Sequence, residues 1–345
     1  MVINDSQNWR MIDMKFAMIG AGAMGLRYGI LLQEAGNDVT FIDTWQPHID
    51  RIREQGGVYV MRDHKDRQLT KIKLETPESY NGDPDMFIFF VKQMQLDGYL
   101  KRCAHFFNDR QYAFTCMNGM GHIEKLQKYF ADDKIIGGTA LIATVLPGPG
   151  EVDFMGKRGA GKMNMCPLDE KPDEMTHKLF NELDKAQMHP TLTDDFTGTL
   201  MTKVIFNSVI NTLCTMFEIP MGELGNFKGF YSMGRQLIDE AYDICARADI
   251  HLVSTRDEEM AALDRNVRID MPLHYPSMYQ DMIKDRPTEV DYINGYIAEL
   301  GRKYHYEAAT HLFVTQAVHL AEFHRQNEAK KRVAKKQAEL QRQTA

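Results

Sequence analysis

From Lys15 to about Val145 the chain alternates short unbroken apolar runs with stretches whose apolar residues return every three or four positions. An unbroken run of four to six apolar residues suits a strand covered on both faces, the signature of a parallel sheet. Lys15-Phe-Ala-Met-Ile19, Val39-Thr-Phe-Ile42, Met86-Phe-Ile-Phe-Phe-Val91 and Tyr112-Ala-Phe-Thr-Cys116 read as such strands, and residues 135–145 read as a continuation of the same sheet. Behind the first strand, Met24, Tyr28, Leu31, Leu32 and Ala35 recur at helical spacing. Pro147-Gly148-Pro149-Gly150 reads as a turn, residues 151–165 as a β excursion and Glu174–Lys185 as a helix. From about Asp195 onward the pattern is helical, with no convincing strand. The expected fold class is α/β: an N-terminal Rossmann-type parallel-sheet domain (residues 14–194) followed by a C-terminal all-α domain (195–324). A short extension (1–13) and a basic tail (325–345) flank them. The join falls just before an unusual helix, and active sites favour such places.

The turn after the first strand is Gly20-Ala21-Gly22-Ala23-Met24-Gly25. Strand, glycine turn and helix is the context in which GxGxxG carries chemistry. Gly20 permits the tight turn, Gly22 lets the backbone approach a pyrophosphate, and Gly25 lets the helix pack close to the strand. The helix N-terminus then faces the phosphate charge. The second strand ends in Asp43, eighteen residues after Gly25. An acidic residue there accepts hydrogen bonds from ribose hydroxyls and repels a 2′-phosphate, so Asp43 favours NADH over NADPH. The alternative is a solvated aspartate in a loop.

Inside the unusual helix, Lys203, Asn207 and Asn211 stand four apart among Val204, Ile205, Phe206, Val209 and Ile210. Steps of four drift only about 40° around a helix of 3.6 residues per turn, so the three polar side chains share one face. Polar groups in an apolar setting need partners, because leaving one buried and unpaired costs about 1–3 kcal/mol. A small polar ligand supplies them in one reading; neighbouring backbone supplies them in the other.

Composition narrows the field. A chain of 345 residues with 43% hydrophobic content can build two cores. A net charge of −7 gives no general attraction to nucleic acid. Five cysteines (Cys103, Cys116, Cys166, Cys214 and Cys245) include no CxxC pair, and the twelve histidines show no HExxH spacing. Neither a disulfide framework nor a metal site is expected; reduced thiols in a cytoplasmic setting are. The start of the chain lacks the apolar core of a secretory signal, and no run is read as long enough to span a membrane. Residues 325–345 hold seven Lys or Arg against two Glu. They read as a solvated or fraying helix end, with RNA, membrane or an acidic partner as the alternative.

Taken together, several segments resemble the ketopantoate reductase family (2-dehydropantoate 2-reductases and related 2-keto-acid reductases) over about residues 14–320. They are Lys15-Phe-Ala-Met-Ile-Gly-Ala-Gly-Ala-Met-Gly25, Val91-Lys92, Asn118-Gly-Met-Gly121, Lys203-x3-Asn207-x3-Asn211, Gly222-Glu-Leu224, Ser277-Met-x-Gln-Asp281 and Thr288-Glu289-Val-Asp291-Tyr-Ile-Asn-Gly295. The resemblance implies a C-terminal domain of 6-phosphogluconate-dehydrogenase-like architecture and an NAD(P)H-dependent reduction of a 2-keto acid to a D-2-hydroxy acid. By that resemblance Lys203 is the general acid that protonates the ketone oxygen as hydride arrives. Asn207 and Asn211 hold the substrate, Ser277 binds its carboxylate, and Glu289 contacts the cofactor ribose or the lysine. Lys92 lies near the cofactor, Asn118 at the nicotinamide side, and Ala143 lines the cofactor cleft. Plainer readings stand beside these: Ser277 as a helix cap, Lys92 as a solvated strand end, Ala143 as packing, Asn118 as turn chemistry.

Two departures from the family pattern bear on specificity. NADPH-using members commonly carry an arginine where this chain has Asp43. The residue before Gly-Glu-Leu is often asparagine, and here it is Met221, better suited to an apolar substituent than to a hydroxymethyl group. Both point toward a branch resembling NAD-dependent D-mandelate-type dehydrogenases, with ketopantoate still ranked first as substrate. A β-hydroxyacid dehydrogenase fits less well, since only Gly198 precedes Lys203 where that family has a glycine-rich run. A non-catalytic nucleotide-binding sensor would explain the glycine turn but not the polar residues of the C-terminal half. The helical domain also offers a surface for a homodimer.

Overall fold

The structure, a computed structural model, describes residues 14–344. The expected N-terminal extension, 1–13, lies outside the described residues. Two compact units divide the chain. The first comprises the described residues through Val91, residues 95–117 and residues 124–194; the second comprises 92–94, 118–123 and everything from Asp195.

Up to Asp194 the elements run β1 (Lys15–Ile19), α1 (Ala23–Glu34), β2 (Asp38–Ile42), α2 (Gln46–Gln55), β3 (Val58–Arg62), β4 (Lys65–Thr70), β5 (Lys73–Glu75) and β6 (Met86–Phe89). They continue with α3 (Gln93–Cys103), β7 (Tyr112–Thr115), α4 (Ile123–Leu126), β8 (Ile135–Leu141), β9 (Thr144–Val145), β10 (Glu151–Phe154), β11 (Lys162–Pro167), α5 (Glu174–Lys185) and β12 (Pro190–Leu192). The main sheet has the order β12-β11-β8-β7-β6-β1-β2-β5. Its pairs are parallel except β11 against β8, which is antiparallel. The central strands are the apolar runs of the sequence: Phe16 to Ile19, Met86 to Phe89 and Tyr112 to Phe114 are buried. Burial on both faces is why these runs do not alternate.

A second sheet, β4-β3-β10-β9, corrects the simple reading of residues 135–165. The stretch 135–145 does not continue one sheet: β8 stays in the main sheet, and β9 crosses to the second. The excursion at 151–165 splits the same way, with β10 in the second sheet and β11 in the main one. The chain switches at Ala143, whose carbonyl accepts a hydrogen bond from Arg27 Nη1 of α1 (2.9 Å). The β3–β4 hairpin is closed by Asp63 and His64, both with positive φ (49° and 64°), the two-residue geometry that matches the right-handed twist of its strands. Its second strand, Lys-Asp-Arg-Gln-Leu-Thr, is almost wholly exposed. It therefore carries no apolar run to announce it.

The second unit is helical: α6 (Phe196–Phe217), α7 (Met221–Asn226), α8 (Phe230–Arg247), α9 (Arg256–Arg265), α10 (Ser277–Met282), α11 (Asn294–Lys303) and α12 (Ala309–Thr344), with one π turn at Asn266–Asp270. Packed around α6 are α7, α8, α10 and α12. Contrary to expectation, α6 does reach the length and hydropathy of a membrane span (22 residues, mean hydropathy 1.3). It is the core helix of this unit, since 72% of that apolar window is buried in protein. The basic tail is not a separate element among the described residues: its helix is the continuation of α12.

Candidate active site

In the first unit the three glycines of the turn divide by cause. Gly20 has φ +99°, and a Cβ there would lie 2.8 Å from the Phe90 carbonyl oxygen. A Cβ on Gly25 would lie 1.9 Å from the Gly20 carbonyl oxygen. Those two are glycine because the protein leaves no room. A Cβ on Gly22 would meet nothing within 4 Å. Gly22 also heads α1 with no side-chain cap and no acidic residue in the first turn. Among the described residues no side chain caps the first-turn amides of Ala23, Met24 and Gly25, which leaves them able to donate to an external acceptor. A backbone that must stay bare on its outer side, at an uncapped helix N-terminus, fits a dinucleotide phosphate.

Asp43 is buried and clasps this turn. Its Oδ2 accepts the Ala21 N–H (2.6 Å), and its Oδ1 accepts the N–H groups of Thr44 and Trp45 (both 2.7 Å). The carboxylate fixes the turn to the end of β2. Beside it lies a residue the sequence reading passed over. His48 is fully buried, stacks on Trp45 (ring centroids 5.2 Å apart) and accepts the Gly150 N–H at Nδ1 (3.0 Å). Burial pulls its pKa down, against the opposing pull of Asp43. The neutral ring then carries its proton on Nε2, which has no partner among the described residues. No spacing signal separates this histidine from an ordinary core one.

In the second unit α6 opens on an Asp195 cap, whose Oδ1 accepts the Gly198 N–H (2.7 Å). Gly198 is glycine because a Cβ would lie 2.0 Å from the His251 carbonyl oxygen. Lys203 is half-buried, while Asn207 and Asn211 are 8% and 7% exposed. The helix is braced from behind: Asn294 Nδ2 donates to the Ser208 carbonyl (3.0 Å) and lies 3.3 Å from His311 Nδ1. Burial pushes His311 down to about 4, so its neutral ring donates from Nε2 to the Leu237 carbonyl (3.0 Å). Thr288-to-Gly295 thus contributes a structural asparagine to the register of α6.

The same unit gathers the other motifs around Lys92. Its Nζ donates to Asp281 Oδ2 (2.6 Å) and lies 3.4 Å from Glu289 Oε2. Burial disfavours the ammonium, but the carboxylates of Glu289 and Asp281 outweigh it and hold the lysine above its ordinary range. Glu289 Oε1 also accepts the Gln93 N–H (3.2 Å), and Asp281 Oδ1 accepts Arg286 Nη2 (2.7 Å). Gln93 Nε2 donates to the Asn118 carbonyl (2.8 Å), and Met120 N–H donates to the Tyr292 carbonyl (2.9 Å). Gly119, with φ +80°, sits where a Cβ would lie 2.6 Å from that carbonyl. Lys92, Asn118 and Glu289 therefore belong to one cluster. Asp281, Gln93 and Arg286 complete it, although the sequence reading gave them no role. Asp281 lay within a quoted motif; its partner is 189 residues away in the chain.

Ser277 is exposed and is not the helix cap; Pro276 holds that position with no side-chain bond. Met221 is buried at the start of α7, which Gly222 and Gly225 press against Pro272 and Val267. Ala143 offers its carbonyl to Arg27 and to the Met155 N–H (3.2 Å). Among the described residues no group of His, Cys, Asp and Glu is arranged to hold a metal ion.

Comparison with known proteins adds an outside measure. Residues 16–168 match the family model described as ketopantoate reductase PanE/ApbA, and residues 195–322 match ketopantoate reductase PanE/ApbA C terminal. The 2-dehydropantoate 2-reductase of Lactococcus lactis subsp. lactis is 30% identical over 318 residues, covering 90% of this chain and 98% of that protein. The ternary structure of a D-mandelate dehydrogenase with NADH and anilino(oxo)acetate has a TM-score of 0.85 at 30% identity, over 91% of this chain and 100% of that one. A dimeric ketopantoate reductase from Staphylococcus aureus shares the fold, with a TM-score of 0.73 at 17% identity over 90% and 100% of the two chains.

Proposed function

The chain belongs to the ketopantoate reductase family, oxidoreductases served by a nicotinamide dinucleotide, and from that premise we propose that it reduces a 2-keto acid to the D-2-hydroxy acid, with 2-dehydropantoate ranked first. What carries this reading is one face of α6: a half-buried lysine followed at steps of four by two buried carboxamides. Lys203 holds the proton at Nζ and delivers it to the ketone oxygen, then recovers one from solvent. Asn207 and Asn211 orient the carbonyl and carboxylate, and Ser277 contributes a hydroxyl to the carboxylate. Such orientation is worth several kcal/mol of barrier when the reacting atoms are held in line. Residues Gly20 to Gly25, Asp43, Lys92, Asn118, Ala143 and Glu289 hold the dinucleotide, which supplies the hydride when bound.

NADH is the proposed form. The buried Asp43 carboxylate is followed by Thr44, Trp45 and Gln46, with no cation to neutralise a 2′-phosphate. The D-mandelate dehydrogenase, similar over 91% of the chain, is described with NADH. A second reading of the substrate rests on Met221: buried and apolar, it favours a branched or aromatic 2-keto acid over the hydroxymethyl group of ketopantoate. Steady-state oxidation of NADH and NADPH with 2-dehydropantoate, phenylglyoxylate and branched 2-keto acids decides among these. Turnover of 2-dehydropantoate supports the first reading, and turnover of bulky keto acids alone supports the second. A homodimer is proposed through α12, which leaves Leu312, Phe313, Leu320 and Phe323 exposed; sedimentation equilibrium tests it.

A further inference from the structure

Residues 271–276 lead into α10 and are bonded to α7 on the way. The Gly222 N–H donates to the Pro272 carbonyl (2.8 Å), and the Met221 N–H donates to the His274 carbonyl (3.0 Å). Both helices pack on α6, which carries Lys203, Asn207 and Asn211. This strap therefore brings His274 to the backbone of Met221, with Ser277 three residues further on. Its side chains differ in what they meet. Leu273 stands in solvent, Tyr275 stacks on Tyr279 (ring centroids 4.4 Å apart), and Pro276 holds the cap position of α10. His274 is half-buried, and among the described residues its ring has no hydrogen-bonding or charged partner. Burial alone moves its pKa, downward, so the ring is neutral near neutral pH. A neutral imidazole offers one N–H donor and one acceptor nitrogen. Taking both from water without a partner costs free energy, which a ligand with a matching donor and acceptor recovers. An alcohol is such a ligand. The thioether of Met221 is only a weak acceptor, so it leaves a hydroxymethyl group to find its partner elsewhere.

We propose that His274 determines specificity for the substituent of the 2-keto acid, hydrogen-bonding a substrate hydroxyl beside Met221. This rests on the reduction proposed above and on 2-dehydropantoate as its substrate. The test compares kcat/KM for 2-dehydropantoate with that for 3,3-dimethyl-2-oxobutanoate, the same acid without its hydroxyl, at saturating NADH. Wild type is expected to prefer the hydroxylated acid about tenfold or more, since a site that pairs an alcohol rejects the analogue lacking it. His274→Leu is expected to bring that ratio down to about one. His274→Asn, which restores a donor and an acceptor, is expected to recover most of the preference. NADH affinity, read by fluorescence titration, is expected to be the same in all three proteins, which separates loss of selection from loss of fold. Reduction of neither acid by wild type would overturn the reading of the reaction and this inference with it. Reduction without preference for the hydroxyl, or a preference that His274→Leu keeps, would overturn the role of His274 alone.

Discussion

The glycine turn and the Lys92 cluster are two ways of building a site, and they fail differently. The turn works through atoms that are missing: Gly20 and Gly25 leave room for protein, and Gly22 leaves room for something else. The cluster works through charges that are present, with Asp281 and Glu289 buried against a lysine and an arginine. Steric sites are written locally, in a spacing of six residues. Charge networks are written across the chain, so each member reads as ordinary until its partner is known.

The largest expected effect lies within the turn. Gly25→Ala drives a methyl group into the Gly20 carbonyl at 1.9 Å, and overpacking of backbone that cannot yield costs about 3 kcal/mol or more. Chemical denaturation is expected to show that loss together with loss of dinucleotide binding. Gly22→Ala meets no protein atom within 4 Å, so its denaturation midpoint stays put while dinucleotide affinity falls about tenfold or more. Equal destabilisation by both would refute the division of roles.

In the cluster, Asp281→Asn removes a buried charge from between Lys92 and Arg286. Breaking a buried pair costs about 3–5 kcal/mol, and partial exposure of both cations lowers the expectation to about 2 kcal/mol. Thermal unfolding checks this. Asp43→Asn removes the charge together with one of the two acceptor oxygens of the clasp, so its side-chain NH2 faces either the Ala21 N–H or those of Thr44 and Trp45. The ratio of kcat/KM for NADPH to that for NADH is expected to rise about tenfold, and an unchanged ratio would detach Asp43 from cofactor choice.

A pH dependence is expected outside the site as well. Burial raises Glu259 to about 7 from 4.5, and Ser254 Oγ donates to its Oε2 (3.0 Å). Between those values the folded state holds the extra proton, so stability falls as pH rises from 4.5 to 7 and the loss is complete above 7. Glu259→Gln is expected to raise the Tm at pH 8 and leave it nearly unchanged at pH 4.

Much of this was legible from residues alone, for identifiable reasons. The central strands were apolar throughout, α5 and α6 carried helical periodicity, and GxGxxG stood between a strand and a helix. The second sheet was hidden because Lys65–Thr70 is polar and exposed and Thr144–Val145 is two residues long. The role of Asp281 was hidden because its partner, Lys92, follows a strand in another part of the chain. His48 was hidden because a buried imidazole leaves no pattern. Chemistry that depends on spacing was readable; chemistry that depends on tertiary pairing was not.

In the proposed reaction Lys203 protonates a 2-keto acid on the face it shares with Asn207 and Asn211. The most direct measurement is dinucleotide oxidation at 340 nm by wild type and Lys203→Ala across the panel of keto acids. A fall in kcat of about 10²-fold or more is expected in the variant, with NADH affinity held within about a factor of two. A variant that keeps wild-type kcat, or loses turnover only because it no longer binds NADH, would contradict it.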